Sequence, residues 1–168
     1  DEIRGNVVAI SSHGVSPEVE AEIRGKGMAI VDTTCPFVRR AQIAARRLAD
    51  SDFYAVIYGD AQHPEVKGIL GWANDKGLAT LDAGLLAERL PRHFGVLSQT
   101  TQIPEYFTDF AKKLVESALT RDAEIRIIDT ICHDIRRRQA SSLELAKRVD
   151  LMLVVGGRSS ANTKLLAE

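Results

Sequence analysis

The sequence predicts an α/β fold of βα units around largely parallel sheets. Short apolar or β-branched runs bounded by turn residues alternate with longer stretches of helical period. Helix-start signals also recur just after those runs. The runs are Val7–Ile10, Met28–Val31, Phe53–Tyr58, Leu78–Leu81, Phe94–Leu97, Ile125–Ile128 and Leu151–Val155, and all seven read as strands. Ser16-Pro17 opens the first helix, and Gly25 and Gly27 close it. Cys35-Pro36 opens the second, where Val38, Ala41, Ala45 and Leu48 share one face. A later helix buries Phe107, Phe110, Ala111, Leu114, Val115 and Ala118, and another runs from about His133 to Arg148.

With 168 residues, 45% of them hydrophobic, the chain can bury a core in one or two small domains. Twenty-two Lys+Arg against 23 Asp+Glu leave a formal charge of -1, too balanced for non-specific nucleic-acid binding. Aromatics at 5% argue against a base-stacking platform. No apolar run approaches the roughly 20 residues of a membrane span. The start, Asp1-Glu2-Ile3-Arg4, has neither the pattern of a secretory signal nor a Met. Glu168 falls within a helix that would cover the last strand, so truncation at both ends is expected. Cys35 and Cys132, the two cysteines, do not make a disulfide scaffold, and a reducing cytoplasm is the default setting.

Both cysteines stand in the same context. Val31-Asp32-Thr33-Thr34-Cys35 and Ile128-Asp129-Thr130-Ile131-Cys132 each place Asp-Thr ahead of a Cys at a strand-to-helix turn, which suggests two pseudo-equivalent modules facing one centre. A helix N-terminus stabilises a thiolate, as either a nucleophile or a soft metal ligand requires. A phosphatase loop does not fit. Such a loop has five residues between Cys and Arg, whereas Arg40 follows Cys35 after four and position 41 is Ala. Ligands of open α/β sheets bind beyond the carboxyl ends of strands, and the remaining polar residues cluster there. They include Ser12-His13-Gly14, His63-Pro64-Glu65, Gln99-Thr100-Thr101 and Ser160-Ala161-Asn162. His63 suits anion contact and Glu65 proton delivery. The ordinary alternatives are that His63 caps a helix, Glu65 complements its dipole, and Thr100, Thr101, Ser160 and Asn162 are caps or turn formers. Arg136-Arg137-Arg138 reads as a solvated helix face on which an acidic electron donor could dock.

Taken in order, the blocks Ser12-His13-Gly14-Val15-Ser16, Asp32-Thr33-Thr34-Cys35-Pro36, His63-Pro64-Glu65-Val66 with Gly68 and Gly71, Gln99-Thr100-Thr101, Asp129-Thr130-Ile131-Cys132 and Arg138-Gln139 resemble the LytB/IspH family of 4-hydroxy-3-methylbut-2-enyl diphosphate reductases. The likeness continues through Val154-Val155-Gly156 to Leu166-Ala167-Glu168. It implies a cloverleaf of three α/β modules around a 4Fe–4S cluster, here incomplete at both ends. Residues 1–34 would end the first module, 35–131 form the middle one and 132–168 begin the third. Cys35 and Cys132 would be two of three cluster ligands, the third cysteine being missing from this chain. His13 and His63 would contact the substrate diphosphate, with Ser160, Asn162 and Thr100. Glu65 would deliver protons, with Thr100 in its relay. The implied reaction yields isopentenyl and dimethylallyl diphosphates in the last step of the methylerythritol phosphate route. Electrons would come from a donor such as ferredoxin or flavodoxin, in a bacterial cytoplasm or a plastid stroma.

Three positions depart from the family pattern. Asp60 stands where a His is usual, Ala161 replaces the middle residue of a Ser-Ser-Asn run, and His133-Asp134-Ile135 follows the later cysteine in place of a segment with Ala-Thr. Two other readings stay open. Cys35, Cys132, His13 and His63 could form a Cys₂His₂ zinc site without catalysis. Alternatively, the isolated chain is a folded but inactive module, since two cysteines do not hold a cubane securely.

Overall fold

The computed structural model describes residues 5–74, 76–86, 89–157 and 160–167. Asp1–Arg4 and Glu168, named above from the sequence, lie outside the described residues. The elements are β1 (Val7–Ile10), α1 (Pro17–Gly25), β2 (Ala29–Asp32), α2 (Pro36–Asp50), β3 (Tyr54–Tyr58), α3 (Pro64–Trp72) and β4 (Gly77–Thr80). After a 3₁₀ turn at Ala83–Leu85 come β5 (His93–Ser98), α4 (Pro104–Leu119), β6 (Glu124–Ile128), α5 (His133–Ala146) and α6 (Ala161–Ala167). Proline stands at the start of α1, α2, α3 and α4, where its missing N–H costs nothing and its fixed φ suits the first turn.

Every strand pair is parallel, as expected of βα units whose strands are joined by helical crossovers. β1 and β2 form a two-stranded sheet, while β4-β3-β5-β6 form the main one. The chain leaves β3 for β4 on one side and returns to β5 on the other, so the strand order reverses between β3 and β5. Loops diverge at such a point and open a crevice at the carboxyl ends of the strands.

Side-chain alternation along β3 divides the core between the two faces of the sheet. Ala55 and Ile57 pack with Ala41, Ala45 and Leu48 of α2 and Val66 and Ile69 of α3. Val56 and Tyr58 pack with Phe107, Phe110, Leu114 and Ala118 of α4. The periodicity therefore placed the apolar stripes of both helices correctly, except that Val115 is only half-buried.

Leu151–Val155 corrects the expectation of seven strands. The segment pairs with no strand among the described residues. Leu151, Leu153 and Val155 are exposed while Met152 and Val154 are half-buried, so the alternation is present without a ladder. An apolar β-branched run supplies propensity, but a strand also needs a neighbour to take its backbone hydrogen bonds.

Leu48 is 1% exposed and lies between α2 and the main sheet. Leu48→Ala is expected to cost about 2–5 kcal/mol through lost burial and an unfilled cavity. Equilibrium denaturation of the two proteins, compared at their transition midpoints, measures it.

Candidate functional site

The two cysteine turns share a backbone scheme as well as a sequence. In the first, Thr33 donates its hydroxyl to the carbonyl of Ile10 at the end of β1, and the Cys35 N–H donates to Ser12 O at 3.0 Å. In the second, Thr130 donates its hydroxyl to Ser98 O at the end of β5, and the Cys132 N–H donates to Thr100 O at 2.9 Å. Each cysteine is therefore fixed by its own N–H against the strand-end loop of a neighbouring strand. Each is also the N-cap of its helix, with no side-chain capping bond, so both thiols are left free for other work.

The Asp that opens each turn is clamped from within the following helix. Asp32 Oδ1 accepts from Thr34 N at 2.9 Å and its other oxygen pairs with Arg39, while Asp129 Oδ1 accepts from Ile131 N at 3.1 Å and its Oδ2 pairs with Arg136 at 2.5 Å. Both arginines lie four residues after the cysteine. Arg136 is thus a partly buried ion-pair partner, which corrects its assignment to a wholly solvated face; Arg137 and Arg138 are exposed. The Asp32 carboxyl is held below the usual carboxylate range, first by the Thr34 hydroxyl and N–H, and then by the Arg39 guanidinium.

A cavity of about 590 Å³ is lined by Ser12, His13, Cys35, His63, Glu65, Thr100, Thr101, Cys132, Ile135, Ser160, Ala161 and Asn162 among others. All the candidate site residues named from the sequence meet there: His13, Cys35, His63, Glu65, Thr100, Cys132, Ser160 and Asn162. Glu65 is 2% exposed, accepting from Thr100 N at 2.7 Å on one carboxylate oxygen and from the Thr100 hydroxyl at 3.0 Å on the other. That pairing goes beyond complementing the dipole of α3. His63 does cap α3, its Nδ1 accepting from Glu65 N at 3.2 Å. A ring nitrogen that accepts carries no proton, so Nε2–H is the remaining donor. The His13 and His63 rings meet edge-on at 5.3 Å.

His13 is held by packing beneath it. Gly14 has φ +67°, and a Cβ there would come within 2.4 Å of the Gln42 side chain. The next carbonyl, Val15 O, accepts from Trp72 Nε1 at 3.0 Å and from Gln42 Nε2 at 3.4 Å. A Cβ on Gly71 would stand 2.2 Å from Ser16 Cβ, so its absence lets α3 press against the start of α1. Thr100 and Thr101 do not cap the next helix, whose N-cap is Ile103. Ser160 does cap, accepting from Thr163 N at 3.3 Å.

Sequence reasoning missed Gln42, Trp72 and the Cys-plus-four arginines, and named Thr101 in a strand-end cluster without giving it a role in the site. The arginines were legible as the longer repeat Asp-Thr-x-Cys-x-x-x-Arg. Thr101 Oγ1 and Asn162 Oδ1 are buried without a protein partner, and both residues line the cavity, as expected of a site awaiting a polar ligand. Asp60, one of the departures, does not line it; its Oδ1 accepts from Gln62 N at 2.8 Å in a turn.

Two free thiols at helix N-termini on one cavity suit two ligand positions of a thiolate-bound metal group. Among the described residues no group of three or more His, Cys, Asp or Glu is arranged to hold a metal ion. No described helix is long and apolar enough to cross a membrane.

The family profile described as LytB protein matches residues 1–168. A 4-hydroxy-3-methylbut-2-enyl diphosphate reductase of Dehalococcoides mccartyi is 64% identical over all of this chain and 60% of its own length. The enzyme of that name from Pelobacter propionicus is 42% identical over the whole chain and 59% of its length. This chain therefore spans about 60% of these curated relatives. Among solved structures, the (E)-4-hydroxy-3-methyl-but-2-enyl diphosphate reductase titled the terminal enzyme of the non-mevalonate pathway matches 95% of the chain and 57% of its own, with TM-score 0.69 and 36% identity. The E-1-hydroxy-2-methyl-but-2-enyl-4-diphosphate reductase from Plasmodium falciparum matches 95% and 51%, with TM-score 0.79 and 25% identity.

Asp32 supplies a pH test of the clamp. Its lowered carboxyl stabilises the fold fully above the ordinary carboxylate range, and that contribution is lost as pH falls through the lowered folded value. Asp32→Asn should therefore lower the thermal midpoint at neutral pH, and the gap to wild type should close below about pH 4. Melting curves of both proteins across the acid range check it.

Proposed function

Because the chain belongs to the LytB family, we propose that it forms part of an iron–sulfur reductase converting 4-hydroxy-3-methylbut-2-enyl diphosphate to isopentenyl and dimethylallyl diphosphates. The single observation that carries this reading is the buried Glu65–Thr100 pair sharing one cavity with two free cysteines and two histidines. In that protein residues 1–34, 35–131 and 132–168 belong to successive modules around the site.

Cys35 and Cys132 would supply two thiolates to a 4Fe–4S cluster, the chain having no further cysteine to offer it. When bound, the cluster would supply two electrons, one at a time, and a Lewis-acidic iron. His13 and His63, with Ser160 and Asn162, bind the diphosphate. The Nε2–H of His63, the Thr101 hydroxyl and the side-chain N–H groups of Asn162 are donors that give directional contacts to an anion without piling up positive charge. The N-terminal turn of α3, which begins beside His63, adds a favourable field for an anion.

Glu65 delivers the proton to the allylic hydroxyl, which leaves as water. The Thr100 N–H and hydroxyl orient its carboxylate, and Thr100 Oγ relays the proton that replaces it. Ile135 and Val38 line the same cavity and keep bulk water from the reacting carbons. Electrons enter from a soluble donor such as ferredoxin or flavodoxin, with the exposed Arg137 and Arg138 as the docking face. The protein works in the cytoplasm of a bacterium.

In the complete polypeptide Glu65→Gln should lower turnover about 10²- to 10⁴-fold while iron content and the visible absorption stay intact. Near-normal turnover returns Glu65 to a packing role. Cys132→Ser should instead lose iron and absorption together, as measured by metal analysis and spectroscopy. A complete, cluster-loaded protein that neither binds nor reduces the hydroxylated diphosphate overturns the substrate assignment.

A further inference from the structure

The two cysteine turns are joined directly by one side chain. Arg40, five residues after Cys35, donates through Nη2 to the backbone carbonyl of Asp129 at 2.9 Å. Asp129 opens the turn that carries Cys132, and its carboxylate is already clamped by Arg136 from α5. The second turn is therefore gripped twice, at its carboxylate by its own helix and at its carbonyl by the helix of the other cysteine. Beside this contact, the Phe37 ring meets the His133 ring edge-on at 6.4 Å. These residues stand two after Cys35 and one after Cys132.

Arg40 itself is exposed and does not line the cavity. Among the described residues no carboxylate lies within ion-pair distance of it. Its partner is a carbonyl that belongs to the other cysteine's turn, so the contact joins the two turns across 89 residues of sequence. Each turn is fixed internally by its Asp–Arg clamp and held to the loop of a neighbouring strand by its cysteine N–H. α2 is seated on the main sheet through Ala41, Ala45 and Leu48 some way along the helix from Cys35, and Arg40 adds the direct contact between the two turns at their own end.

We propose that Arg40 is a positioning residue that sets the separation of the Cys35 and Cys132 thiols. Its importance rests on both thiols serving one group, as in the function above, but the spacing can be read without that group. An Arg donating to a carbonyl holds distance and direction together, since its planar fork loses little freedom when it binds. A Lys at the same position reaches the same carbonyl as a point donor.

The chain has only two cysteines, so thiol reagents report on this pair alone. A series of bis-methanethiosulfonate linkers of increasing length serves as a ruler on the full chain, with bridged product read by intact mass. Wild type should be bridged best by one length, with shorter and longer linkers disfavoured. Arg40→Lys should keep that preference. Arg40→Met should flatten it by about threefold, the scale of an exposed polar contact. Reaction of the single thiols with methyl methanethiosulfonate and the thermal midpoint should stay as in wild type. Arg40→Ala, well tolerated in a helix, is read alongside in case the Met variant folds poorly.

An unchanged length preference in either apolar variant overturns the proposal, as does equal loss of preference in Arg40→Lys. A flattened ruler in the chain, together with no iron uptake by the complete protein, would leave Arg40 as the spacer and remove the cluster reading.

Discussion

The site depends on one recurring backbone bond, the cysteine N–H held by the loop that follows a neighbouring strand. Cys35 N–H reaches Ser12 O and Cys132 N–H reaches Thr100 O. In each case the threonine two residues earlier has its hydroxyl on the carbonyl two residues before that acceptor. Parallel pairing makes this possible, because neighbouring strands then end side by side and their loops run out in the same direction. The same bonds bring Ser12-His13 beside Cys35 and Thr100-Thr101 beside Cys132, so thiols and polar groups arrive together.

The buried carboxylate follows from that arrangement. Glu65 lies at 2% exposure and would be costly there alone. The Thr100 N–H and hydroxyl reach it because β3 and β5 are adjacent and their loops face each other across the reversal of strand order. Buried polar networks are specific when every member is satisfied. At the cavity wall Thr101 Oγ1 and Asn162 Oδ1 are buried without a protein partner, as is Gln42 Oε1 outside it.

Much of this was legible in the residues. Six of the seven expected strands form within a residue or so of where alternation and turn signals placed them, because their apolar residues have a sheet to join. Leu151–Val155 has equal propensity and no neighbour, which periodicity cannot reveal. The residues that line the cavity could be picked out because polar groups at strand ends are conspicuous in an aliphatic chain. Gln42 and Trp72 were not, since a glutamine and a tryptophan on apolar helix faces look like packing until their common acceptor, Val15 O, is located. Arg39 and Arg136 were hidden among other arginines, although their identical offset from each cysteine was available.

The wide separation of Cys35 and Cys132 along the chain bears on how the site comes into being. The two turns are tethered to different sheets, β1–β2 and β4-β3-β5-β6. Contacts of such high sequence separation pay their loop-closure entropy before any reward arrives. The thiols therefore meet only after both parallel ladders have closed, and a nascent chain presents them singly. A group held by both thiols would therefore be loaded onto a finished fold and, once bound, would hold it closed.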